Sequence, residues 1–213
     1  MKLFLDGALG ARSAALGESF LGGEEGFLVY KEEALLAELA RVASASKRVA
    51  MHAIGSLAIE QGLTALESLA SDGLRFDRPR LEHVQFISLS QARRAKALGV
   101  VLSVQPNFNS DSVDYLDRLP QGLAARNDPF RMLIDEAGFV PGEDLVFGSD
   151  GMPQGPEYAL RMSLFPPVEA QRLSLAEFIS GYGKARGLLG AMSPKGLRLE
   201  VDEEARILKK VDA

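Results

Sequence analysis

Apolar positions along the chain form two interleaved patterns. Short runs dense in Val, Leu and Ile, without strict alternation, predict strands near residues 2–5, 48–52, 80–86, 100–104 and 145–149. Longer stretches repeat with a helical period. In KEEALLAELARVASASK (31–47), Leu35, Leu36, Leu39, Val42 and Ala43 share one face, with acids at the start and Lys47 near the end. The next helix buries Leu63, Leu66 and Leu69 and stops near Asp72-Gly73. Ser88 and Gln91 have capping-box spacing before SLSQARRAKAL, and Gly99 stands where that helix should end. Pro129 to Ala137, followed by Gly138, predicts a further helix after a long loop from Gln105 to Asp128. Beyond GMPQGPEY (151–158) lie two apolar helices, the second capped by Ser174 and Glu177.

Strands without alternation are buried on both faces, as in a parallel sheet covered by helices, so the fold class is α/β. The tail differs. LRLEV and RILKKV alternate partially around Asp202, Glu203 and Glu204, which predicts a C-terminal hairpin or a swapped edge strand. Residues 1–190 then form one unit and residues 191–213 a short β tail. A chain of 213 residues, 46% hydrophobic, builds one sizeable core and not two comfortable domains.

Charge and composition remove several classes of function. A net charge of −5, with no Lys/Arg cluster, argues against a nucleic-acid partner. No apolar run is long enough to cross a bilayer and no signal-like start is present, so the expected location is the cytoplasm, with no membrane partner. There are no cysteines, so any metal rests on imidazole, carboxylate or modified lysine.

Three strand-like runs end in side chains that can bind a metal: RVAMH at His52, PRLEH at His83 and DLVFGSD at Asp150. Ligands at the C-terminal ends of parallel strands converge on one mouth, as in a barrel enzyme. A hydrolytic metal needs a few such ligands and one open position, where the pKa of bound water falls to about 7. Asp150 could then move a proton from water to a leaving nitrogen. Glu82 precedes His83 and is expected on the opposite strand face, outside the site. The plainer readings are a hydrogen-bonded structural histidine at each strand end, a loop-capping Asp150 and a solvated Lys2.

KLFLDGALGARSAAL, HAIGSLAIEQ, RPRLEHVQFIS, GVVLSVQPNF and FGSDGMPQGPEYAL followed by LFPP resemble, in that order, the C-terminal part of the YtcJ-like branch of the metal-dependent amidohydrolase superfamily. The resemblance implies a partial (β/α)8 barrel of TIM type, about strands four to eight, hydrolysing amide or related C–N bonds with a divalent metal, zinc foremost. His52 would end strand five, His83 strand six and Asp150 strand eight. Lys2 would stand where some members carry a carboxylated bridging lysine. The partner implied is a small amide-type substrate. The family's first metal motif, a His-x-His pair, is absent; Ser56 stands where aspartate is usual and Gln154 where histidine is frequent. Two readings follow: an amidohydrolase portion completed by a second copy or by a separate N-terminal half, or a non-catalytic half-barrel that oligomerises. Unpaired sheet edges and an exposed Val/Leu inner face favour association in either case.

Overall fold

The structure is a computed structural model, describing residues 1–45, 48–151, 153–183, 198–202, 204 and 206–211. Five parallel strands form one sheet: β1 (Lys2–Phe4), β2 (Ala50–Ala53), β3 (Arg80–His83), β4 (Val101–Val104) and β5 (Leu145–Phe147). Their spatial order, β1-β2-β3-β4-β5, follows the chain. Each strand lies within a predicted window or one residue beyond it. Between them run α1 (Glu32–Ala45), α2 (Ser56–Ser71) and α3 (Leu89–Ala97). After β4 the predicted long loop is in fact structured, with a 3-10 turn (Pro106–Ser110), α4 (Asp111–Asp114) and α5 (Gln121–Ala124). α6 (Pro156–Leu164) and α7 (Leu175–Gly183) follow β5.

Leu3, Met51, Leu81, Leu102, Leu145 and Phe147 point from the sheet into the helical layer and are 4% exposed or less. They meet Leu35 and Leu39 of α1, and Ile59 and Leu63 of α2, in the main core. α2 approaches closely at Gly62, where a Cβ would stand 3.0 Å from Leu5 and 3.5 Å from Leu81. Both capping boxes form: Ser88 with Gln91, and Ser174 with Glu177. Arg94 of α3 reaches across to Glu60 and Glu67 of α2, locking the two helices in register.

Two further expectations change. The segment at Pro129–Ala137 turns as a π-helix over Met132–Glu136, where the Ala137 amide reaches back five residues to the Met132 carbonyl before Gly138 ends it at φ 75°. The inner face of the sheet is also not an exposed apolar surface. Ala50, Val101 and Val146 are nearly inaccessible, while the apolar Phe4, at 53%, and Met1 stand open beside them. A cavity of about 310 Å³ on this face is lined by Arg48, Arg78 and Arg80 above Val101 and Val146. The outer edges of β1 and β5 carry no paired strand among the described residues.

The tail forms an antiparallel hairpin, β6 (Arg198–Asp202) with β7 (Ile207–Val211), and Leu199, Val201 and Leu208 pack against the main core. The boundary expected at residue 190 lies outside the described residues.

Candidate active site

The site is built at the C-terminal end of the sheet, where β2 and β3 finish. His52 lies on the inner face of β2, opposite Phe4 of β1 and Glu82 of β3. The two-residue period of a strand would therefore turn His83 the other way, toward the helices, with Leu81. The backbone reverses that assignment. His83 has φ 72°, and the Val84 amide donates to the Glu82 carbonyl at 3.0 Å, which is the strained form of the γ-turn. Val84 continues at φ 48°, a costly conformation for a β-branched residue, held by burial of its side chain and a second bond from its amide to the Ala53 carbonyl. The turn ends β3 three residues early and brings the His83 ring to 4.5 Å from that of His52, edge to face. Glu82, expected away from the site, shares the inner face with His52, and there it pairs with Arg80 at 2.5 Å.

Four rings line the mouth. Phe4 lies 5.2 Å from His52, and Phe108 stacks at 6.0 Å on His83. The hydrogen bonds of each imidazole fix its tautomer. His52 Nε2 lies 2.9 Å from the Gly7 carbonyl, which can only accept, so Nε2 is the donor of that bond and Nδ1 is left without a part in it. His83 Nδ1 lies 2.7 Å from Gln105 Oε1, which leaves its lone pair on Nε2. Burial, reinforced by the neighbouring His52, pushes His83 down to about 4, so it is a neutral ligand-competent imidazole at pH 7.

Asp150 follows β5 in a left-handed turn at φ 51°, which a short polar side chain tolerates. Its Oδ2 stands 3.9 Å from His83 Nε2, too far for a hydrogen bond. Two such donors around a tetrahedral zinc ion, each at about 2.0–2.2 Å, stand about 3.4 Å apart, so the pair is wider here than a shared ion requires. Asn107 donates to the Ser149 carbonyl at 2.9 Å and ties the Asp150 loop to the segment after β4. The structure thus brings His52, His83 and Asp150 to one mouth. Lys2 is exposed on the same face as His52 but two residues below it, with Nζ 5.3 Å from the Phe4 ring centroid. Among the described residues, no three His, Asp or Glu side chains close around a single metal position.

Three residues of the site carried no sequence signal of their own. Asp6, which reads as an ordinary turn residue, has its side chain fully buried and accepts from the amides of Ala15, Ile54 and Gly55 at 2.8–3.0 Å. Burial pushes its carboxyl upward, while those three bonds and the nearby His52 act to lower it. The clamp draws Ala15 so close to Gly55 that a Cβ there would stand 2.1 Å from the Ala15 carbonyl oxygen. Gln105 and Asn107, from SVQPNF, orient His83 and the Asp150 loop respectively. Ser56, at the family's usual aspartate position, donates its hydroxyl to the Leu16 carbonyl.

A parallel sheet backed by helices, with two histidines and an aspartate at one mouth, resembles part of a barrel hydrolase. The sequence profile of the amidohydrolase family matches residues 1–156, and the chain belongs to that family. It is 37% identical over 145 residues to YtcJ of Bacillus subtilis (strain 168), a match covering 67% of this chain and 27% of YtcJ. It is also 35% identical over 117 residues to the protein LONG AFTER FAR-RED 3 of Arabidopsis thaliana, covering 54% of this chain and 20% of that protein. Its fold matches the crystal structure of an uncharacterized metal-dependent hydrolase from Pyrococcus furiosus with a TM-score of 0.73 and 27% identity, over 87% of this chain and 39% of the other. The chain therefore spans well under half the length of these relatives. No described helix is long and apolar enough to cross a membrane.

Proposed function

We propose that this chain forms part of a metal-dependent hydrolase acting on amide or related C–N bonds of small molecules, with its five strands corresponding to strands four to eight of a (β/α)8 barrel. The observation that carries the reading is the pair of adjacent imidazoles with opposite tautomers, His52 presenting Nδ1 and His83 presenting Nε2, with Asp150 facing the second. The donor set of two imidazoles and a carboxylate suits zinc, and such an ion supplies Lewis acidity at the mouth. His52 and His83 would hold it. Asp150 Oδ2 takes a proton from the attacking water and delivers it to the leaving nitrogen. Lys2, once carboxylated, would contribute a further oxygen from β1. A second polypeptide or a second copy, lying along the unpaired edges of β1 and β5, would supply the remaining ligands.

The test is a zinc competition titration with a chromophoric chelator on the wild-type chain, His52→Ala, His83→Ala and Asp150→Asn, followed by hydrolysis of a simple N-acyl amino acid. Each histidine variant should lose at least tenfold in affinity. Asp150→Asn should lose turnover more than metal. Adding a segment bearing His-x-His should raise both affinity and turnover in the wild type, and unchanged zinc binding in both histidine variants refutes the assignment. A second reading, a half-barrel without catalysis, is favoured by the lack of any three-ligand cluster among the described residues. It predicts no turnover even after complementation.

A further inference from the structure

We propose that Gln105 is a positioning residue that sets the proton of His83 on Nδ1 and so keeps Nε2 free at the mouth. The inference deepens the metal-site reading, and only its affinity arm rests on that reading. The assignment follows from a chain of hydrogen bonds that permits one solution. Gln105 Nε2 lies 3.3 Å from the Ser103 carbonyl. A carbonyl oxygen has no proton to give, so the NH₂ end of the amide must face Ser103 and the oxygen must face the ring. Oε1, 2.7 Å from His83 Nδ1, is an acceptor, and Nδ1 must be the donor. The remaining nitrogen, Nε2, is the one 3.9 Å from Asp150.

The backbone holds the lock in place. Gln105 follows β4 and precedes Pro106, whose ring excludes the helical region for the residue before it; Gln105 is extended, at φ −121° and ψ 93°. Ser103 sits opposite Glu82 in the sheet, so Gln105, two residues on, stands beside the end of β3 where His83 turns. Both Gln105 and His83 are at least nine-tenths buried, and Phe108, in the turn that Pro106 opens, stacks on the ring. Water has little access to substitute for the amide oxygen. A free imidazole side chain places its proton mainly on Nε2, the wrong atom for a donor at the mouth. The hydrogen bond at Nδ1 therefore decides which nitrogen is available.

The chain has two histidines, so their ring nitrogens can be read directly by long-range ¹H–¹⁵N correlation at pH 7, with His52→Ala giving the assignment. In the wild type, His83 should show a protonated Nδ1 and a lone-pair Nε2, and His52 the reverse. Gln105→Leu should move the His83 proton to Nε2, or mix the two forms, and leave His52 unchanged. Gln105→Glu, which keeps an acceptor, should restore the wild-type pattern. Zinc affinity should fall about 10–100-fold in Gln105→Leu and recover in Gln105→Glu. A wild-type His83 protonated on Nε2 overturns the proposal without any variant, and so does a Gln105→Leu chain that keeps both the tautomer and the affinity. If the tautomer responds as expected while the wild type binds no zinc, the lock stands and the metal reading falls.

Discussion

Replacing Asp111 with asparagine should stabilise the protein above pH 7 and leave it nearly unchanged below pH 4. Asp111 opens α4, and its Oδ2 accepts from Gln85 Nε2 at 2.9 Å. That amide also donates to Asn127 Oδ1 at 2.9 Å, and the neighbouring Asp128 is 3% exposed, with Oδ2 lacking any hydrogen-bond partner among the described residues. Burial raises Asp111 from 3.8 to about 6, against the Gln85 bond and Arg118, which pull it down, and with Asp114 pushing it further up. Below pH 3.8 the folded and unfolded chains are both protonated, and the group costs nothing. Between 3.8 and about 6 the native state holds a proton that the unfolded chain has released, so stability declines as pH rises. Above about 6 the native carboxyl is ionised and carries the whole penalty, at most roughly 3 kcal/mol for a rise from 3.8 to about 6, less whatever water screens at this partly buried position. Asparagine keeps an oxygen for Gln85 and never ionises. Urea unfolding of both chains at pH 3.5 and pH 8, at fixed protein concentration and ionic strength, measures the difference directly. The gap between variant and wild type should widen in favour of the variant by about 1–3 kcal/mol at the higher pH. A gap that is constant, or that moves the other way, refutes the account of this cluster.

The same substitution at Asp6 should do the opposite. Asp6→Asn places an NH₂ against backbone donors that now share two carboxylate oxygens, leaving at least one buried amide unsatisfied, at about 1–3 kcal/mol for each, read as a lower urea midpoint at pH 7. Leu81→Ala, at a fully buried position under α2, should cost about 2–5 kcal/mol by the same assay. Ser88→Ala removes the acceptor for the Gln91 amide and should cost about 1 kcal/mol without changing the denaturant slope.

Much of the fold was legible because its signals are local. Val- and Leu-rich runs marked the strands, Ser88 with Gln91 and Ser174 with Glu177 marked helix starts, and the alternation after Leu197 marked the hairpin. His52, His83 and Asp150 were picked out as strand-end residues, and the direction in which the β3 side chains point was misread. Strand parity set His83 and Glu82 on opposite faces, and it gave no warning of a γ-turn at a histidine followed by a valine at positive φ, a region that a β-branched residue rarely enters. Asp6 sits in a dipeptide that ordinarily signals a turn; the three amides it accepts from come from segments 9 to 49 residues away, beyond the reach of local pattern. The acids of the loop after β4 escaped notice because loops are normally solvated, and nothing in Asp111 or Asp128 alone tells that the first meets Gln85 and that the second is buried.

The polarity of β1 and β5, the two edges without a further strand among the described residues, imposes a rule of symmetry on whatever lies beside them. A second copy related by a twofold axis along the strands could set its β1 beside β5 with all strands running the same way, and its histidines would arrive at the same rim. An axis across the strands would pair the edges antiparallel and carry those histidines to the far end of the sheet. Two copies joined in the first manner make ten strands, whereas three added strands make the eight of an ordinary (β/α)8 closure. Chain direction at an edge, as well as side-chain complementarity, therefore selects which neighbour could bring a ligand within reach of His52 and His83.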